Sequence, residues 1–169
     1  MSYGHDWKTP CREYTLRLTS ASWQQMERES DRSGAIETGG ILVGYYTNDK
    51  STAIVTEALL PPKDSARGRS WFHRGIAGLS GLLTKRWDSR VRTYYIGEWH
   101  YHPASTVDPS NDDLAQMYRI NIDPQYYCRE PIMLIVGQSR FREERAVRAF
   151  IFPQGKQYIE LIRGSAVLD

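Results

Sequence analysis

His100 and His102, one residue apart in "GEWHYHPASTVDPSNDD" (97–113), are two of only four histidines in a chain of 169 residues. On a strand, side chains at i and i+2 leave the same face, so both imidazoles can converge on one ion while Tyr101 turns away. Pro103 lacks the ladder donor needed to continue the strand, which puts the pair at a strand end within reach of water and ligands. Two imidazoles and a carboxylate are a donor set found around catalytic zinc, with a fourth position left for water. Asp113 can supply the carboxylate if the loop 103–109 folds the following helix back over the strand end. Asp108 and Asp112 are rival ligands, and Glu98, on the His100 face, is the obvious acid to serve as a general base. Ser110 and Asp113 are also an ordinary capping box, Ser at the N-cap and an acid at N3. Both readings stand at this point.

Several elements must position these residues. "EYTLRL" (13–18) alternates as a half-buried strand does. Ser22 with Gln25 offers a capping box for a helix through Trp23 and Met26 that ends near Gly34. "AIETGGILVGYYT" (35–47) and "STAIVTEALL" (51–60) flank a turn and are predicted to pair antiparallel. Gly39 and Gly40 mark a close backbone approach, to an extended substrate or at a simple bulge. The segment 61–70 reads as a loop and "WFHRG" as a short strand, with Trp71 and Phe72 as core or groove wall and His73 as a solvated or hydrogen-bonded residue. Ile76, Leu79, Leu82, Leu83 and Trp87 make a helical apolar face. Strand 92–102, helix 110–120, the buried strand 132–138, and strands 145–152 and 157–163 follow. The fold class is mixed α/β, a single domain with a sheet of about six strands and three helices packed on it.

The composition narrows the function. Hydrophobic residues make up 40% and charged residues 25%, as in a soluble globular protein, and the net charge of +2 leaves little electrostatic footprint for nucleic acid or a membrane surface. The arginines Arg67, Arg69 and Arg74, and the group Arg140, Arg142, Arg145 and Arg148 interleaved with Glu143 and Glu144, read as solvated faces. No apolar run spans a bilayer and no secretory leader precedes the polar "MSYGHDWKTPCREY", in which His5 lies in a frayed terminus. Two distant cysteines, Cys11 and Cys128, are expected to be free thiols in a reducing cytoplasm.

Taken in order, Glu37 in "ETGGILVGYY", then "GEWHYHP", then "PSNDD", resemble the JAMM (MPN+) metalloprotease family. That family's pattern is an upstream Glu, His-x-His followed by Pro, and Ser-x-x-Asp with seven residues between the second His and the Ser, supplied here by Pro103 to Pro109. The likeness runs over about residues 13–163 and is nearest to the compact prokaryotic JAB branch. Relatives of that branch are encoded beside ubiquitin-activating-like and ubiquitin-conjugating-like enzymes, in antiphage systems such as CBASS and in related conjugation operons. The resemblance implies a cytidine-deaminase-like fold with one Zn2+ per chain, held by His100, His102 and Asp113. It further implies Glu37 as general base and Ser110 as a residue that helps stabilise the oxyanion. The implied activity is a zinc isopeptidase cutting after the C-terminus of a ubiquitin-like protein. The alternatives are a processing protease for a sulfur-carrier protein and a metal-free MPN-like scaffold. One departure is Tyr101, since the residue between the histidines is usually Ser or Thr.

Overall fold

Eight strands close on themselves, running round the barrel as Tyr3–Lys8, Ile159–Arg163, Val147–Ile151, Ile132–Gly137, Tyr94–His102, Thr38–Tyr46, Thr52–Ala58 and Thr15–Thr19. The computed structural model describes residues 3–103, 106–139 and 144–164; Arg140, Arg142 and Glu143 therefore lie outside the described residues. The strands are β1 (Tyr3–Lys8), β2 (Thr15–Thr19), β3 (Thr38–Tyr46), β4 (Thr52–Ala58), β7 (Tyr94–His102), β8 (Ile132–Gly137), β9 (Val147–Ile151) and β10 (Ile159–Arg163), with β5 (Ala66–Arg67) and β6 (Phe72–His73) forming a separate hairpin. The helices are α1 (Ser20–Ser33), α2 (Leu79–Trp87) and α3 (Asn111–Ile122). The mixed α/β class and its three helices match the reading of the sequence, but the sheet has eight strands rather than six. As predicted, β3 and β4 pair antiparallel. Two pairings are parallel, β2 with β4 and β7 with β8, and each needs a crossover carrying a helix.

The barrel strand that the sequence did not suggest is β1. Residues 3–8 are not frayed: Trp7 is 1% exposed, and β1 pairs with both β2 and β10, with Trp7 opposite Leu16 on one side and Arg163 on the other. A polar-looking sequence hid one large apolar anchor. The start of α1 also differs from the capping box read at Ser22 and Gln25. Thr19 is the N-cap and its hydroxyl accepts from the Ser22 amide, because β2 runs straight into the helix. Helix α2 begins later than the apolar pattern suggests. Ile76 is 72% and Trp87 50% exposed, and only Leu79 and Leu83 pack partly against the core. The Asp64 carboxylate accepts from the Ile76 and Ala77 amides and holds that approach outside the helix.

A bulge in β7 decides which side chains meet the site. Leu42 pairs with Gly97 but Val43 with Tyr95, so Ile96 is an extra residue. Ile96, Trp99 and Tyr101 consequently join the cluster that includes Trp23 and Met26 of α1. Tyr95 belongs to the opposite cluster, with Met117 and Ile120 of α3, so Glu98, His100 and His102 face that helix. Among the described residues, no helix is long and apolar enough to cross a membrane.

Candidate metal centre

His100 and His102 sit at the C-terminal end of β7, 3% and 8% exposed, and Asp113 in the first turn of α3 is 7% exposed. One nitrogen from each histidine and one Asp113 oxygen all lie within 4.8 Å of one another. Nδ1 of His100 is 2.6 Å from Oδ1 of Asp113, and Nε2 of His102 is 3.6 Å from Oδ2, too long for a hydrogen bond. The other half of the arrangement is a complete capping box. Ser110 donates to Oδ2 of Asp113 from its amide at 2.8 Å and its hydroxyl at 2.7 Å, while the Asp113 amide donates back to Ser110 Oγ at 3.1 Å. The structural and ligand readings of Ser110 and Asp113 are therefore compatible, since the cap fixes the carboxylate that faces the histidines.

Burial works against charge on Asp113, but the hydrogen bond and charge of His100, and the donors of Ser110, outweigh it and hold the carboxyl well below the usual carboxylate range. Burial alone would lower His100, yet Asp113, with Glu98 and Glu37 adding to it, raises its pKa. His102 is lowered by burial, with Asp113 opposing and His100 reinforcing. Nε2 of His100 is buried and has no hydrogen-bond partner. A buried orphan nitrogen beside an imidazole and a carboxylate is what a site lined for a cation presents, and the donors are of the type zinc takes.

Glu37 lies just before β3, whose Thr38 pairs with Tyr101 and whose Gly39 pairs with His100. Its carboxyl is pushed up to about 6, by burial first and the negative charge of Asp113 second, with His100 opposing. Its backbone is fixed by a hydrogen bond of 2.8 Å that its amide donates to the Gly68 carbonyl. Its carboxylate has no hydrogen bond or ion pair among the described residues. The rival acids are all otherwise placed. Glu98 is fully buried, with Arg74 Nε 3.1 and 2.8 Å from its two oxygens and the Tyr95 hydroxyl 3.0 Å from Oε1, so it is a structural acid. Asp108 is drawn into an ion pair with Arg148, and Asp112 is exposed.

The glycine pair makes room within the protein. A Cβ at Gly39 would lie 2.3 Å from the Trp99 carbonyl oxygen and 2.9 Å from Phe72, and one at Gly40 would lie 2.1 Å from the Leu59 carbonyl oxygen. Phe72 stands edge-on to the His100 ring at 5.6 Å, a wall of the site. Trp71 is exposed instead and stacks at a tilt on His73, which the fold does not bring to the centre. His5 packs against Trp7 and Trp23. Cys11 and Cys128 are both free thiols, exposed and buried respectively. Arg74 and Arg145, read from the sequence as parts of solvated faces, are buried instead, at 6% and 5% side-chain exposure, and a cation that satisfies Glu98 from 24 residues away leaves no local pattern. A buried acid between core residues was itself the signal that one must exist.

Comparison with known proteins bears on the same region. The family model for prokaryotic homologs of the JAB domain matches residues 19–150. A CD-NTase/cGAS isopeptidase of Enterobacter hormaechei is 45% identical over 148 residues, covering 88% of this chain and 81% of its own. Another so named, from Pseudomonas aeruginosa, is 26% identical over 88% of this chain and 82% of its own. A protein of Sinorhizobium fredii named "probable metalloprotease" is 28% identical over 67% of this chain and 70% of its own. The solution structure of a Desulfitobacterium hafniense protein superposes with a TM-score of 0.55 at 18% identity, covering 88% of each chain, a likeness of fold. With the family model spanning most of the sequence, the chain belongs to the prokaryotic homologs of the JAB domain.

Proposed function

We propose that the protein is a zinc-dependent isopeptidase that cleaves after the C-terminus of a ubiquitin-like or otherwise conjugated protein. The observation that carries the reading is the convergence of His100, His102 and Asp113 to within 4.8 Å, with a buried unpartnered nitrogen on His100. Isopeptidase is also the name of two of the relatives. In this reading His100, His102 and Asp113 hold the ion. Zinc, when bound, supplies a Lewis acid that brings the pKa of water to about 7 and polarises the scissile carbonyl.

Glu37 takes the proton from the attacking water and delivers it to the leaving amine. A carboxyl near 6 is suited to both halves of that transfer at neutral pH. Ser110 steadies the developing oxyanion. Its hydroxyl proton points at Asp113 in the structure, so this role requires the hydroxyl to turn. The substrate tail binds extended. Among the described residues, closure of the eight-stranded barrel leaves the short β5–β6 hairpin, which carries Phe72, as the edge for it to join. The cytidine-deaminase-like description of the fold and a cytoplasmic setting beside ubiquitin-activating-like and ubiquitin-conjugating-like enzymes belong to the same proposal.

The test pairs chemistry with metal content. Elemental analysis of protein prepared without chelators is expected to give about one zinc per chain. Glu37→Ala is expected to abolish cleavage of a ubiquitin-like fusion while keeping that zinc. Near-zero zinc with no gain on adding it would favour a metal-free scaffold, and full activity of Glu37→Ala would remove Glu37 from the mechanism.

A further inference from the structure

Tyr101 stands between the two histidines in sequence but on the opposite face of β7, 1% exposed. Its hydroxyl donates to the carbonyl oxygen of Gly34 at 2.8 Å. Gly34 ends α1 at a φ of 61°, with its own amide donating to the Ser30 carbonyl, and only two residues separate it from Glu37.

Arg145 lies over the Tyr101 ring at 5.8 Å. Nη1 of Arg145 donates to the Gly137 carbonyl at 3.0 Å, and Gly137 is the β8 partner of His102. Its other terminal nitrogen bonds Asp31, three residues before Gly34. The tyrosine and arginine together tie the last turn of α1 to the strand ends that carry the histidines. On the far side, Glu37 is fixed by its amide to Gly68, and Thr38 by its hydroxyl to Glu29 at 3.2 Å.

We infer that Tyr101 is a positioning residue for Glu37, with Arg145 as its support: the phenol sets where the segment 34–37 lies relative to His100 and His102. The inference rests on reading Glu37 as the base, although its first measurement does not. Removing the phenol oxygen by Tyr101→Phe keeps the ring and its packing, and Gly34 is an exposed residue, so the fold is expected to be retained.

The experiment is hydrogen exchange followed by mass spectrometry on full-length protein, wild type and Tyr101→Phe. Loss of one hydrogen bond is expected to speed exchange of the 36–38 amides about 5-fold while the later part of β3 is unchanged. Zinc content and KM for a ubiquitin-like fusion are expected to stay the same while kcat falls about 10-fold, the signature of a displaced base. Arg145→Met, which leaves the phenol in place, is expected to loosen the same amides, and it decides the matter should Tyr101→Phe fail to fold. Unchanged exchange in this segment, or a kcat loss that follows zinc loss, overturns the inference. If exchange responds and even the wild type cleaves nothing, the positioning stands and the proposed activity fails.

Discussion

Asp113 meets His100 across 2.6 Å with one carboxylate oxygen while Ser110 holds the other. Without metal these shifts make the two residues a charged pair over a definite pH window. A histidine raised in the folded state stabilises fully below its unfolded pKa of about 6.5, and loses that contribution as pH rises through the folded value. An aspartate lowered in the folded state stabilises fully above about 3.9, and loses it as pH falls through the folded value. The pair is therefore at full strength between about pH 4 and 6.5. Urea denaturation of metal-free wild type and Asp113→Asn is expected to show the largest gap in that window and a smaller one at pH 9. In an NMR titration of the metal-free protein, the His100 ring should titrate above 6.5 and the His102 ring below it, in keeping with their opposite shifts. A gap that does not change with pH would break the assignment.

Arg74 and Glu98 form the most deeply buried ion pair described, at 6% and 0% side-chain exposure. Arg74→Met strands a carboxylate in the core and is expected to cost about 3–5 kcal/mol of stability. The double variant Arg74→Met, Glu98→Leu is expected to recover much of that loss, because the uncompensated charge is gone. If the double variant is no better than the single one in chemical denaturation, packing rather than charge dominates there.

Gly40→Ala forces a methyl to within 2.1 Å of the Leu59 carbonyl oxygen, which also accepts the Trp99 indole at 2.8 Å. Backbone must move, at an expected cost of about 1–3 kcal/mol. The shift passes along β3 to Glu37 and β7, so kcat is expected to fall along with the melting temperature. A variant as stable and active as wild type would show that β3 and the 59–62 segment can part freely.

Ser110→Ala separates two roles. Losing the cap alone is expected to cost about 1 kcal/mol of stability. Losing an oxyanion donor as well is expected to lower kcat about 100-fold or more. Thermal melts and steady-state kinetics on the same preparation distinguish them, since a stability loss with intact kcat would leave Ser110 a capping residue only.

The centre was more legible than the frame around it. His100, His102, Ser110 and Asp113 lie within fourteen residues, where strand alternation and a capping box fix relative directions from spacing alone. Glu37 is different. Its link to them is a β3–β7 register that only long-range pairing creates, so without the family pattern it reads as surface charge before a glycine pair. The faces of β7 were legible near its end, but the bulge at Ile96 that puts Trp99 on the α1 side leaves no mark in the apolar pattern. Ile76 and Trp87 misled in the opposite sense. Their periodicity is helical, yet a carboxylate at Asp64 and the shallow seating of α2 leave both in solvent.

The pairing of Trp7 with Arg163 joins positions near opposite ends of the described chain. Closing so long a loop is entropically the most demanding contact in the fold and belongs late in its assembly. The residues of the candidate centre, 37 to 113, are all synthesised before β10 exists. During translation, the part of the protein that carries the candidate centre thus emerges while the sheet still has open edges, and the last of the described strands to arrive is the one that seals them.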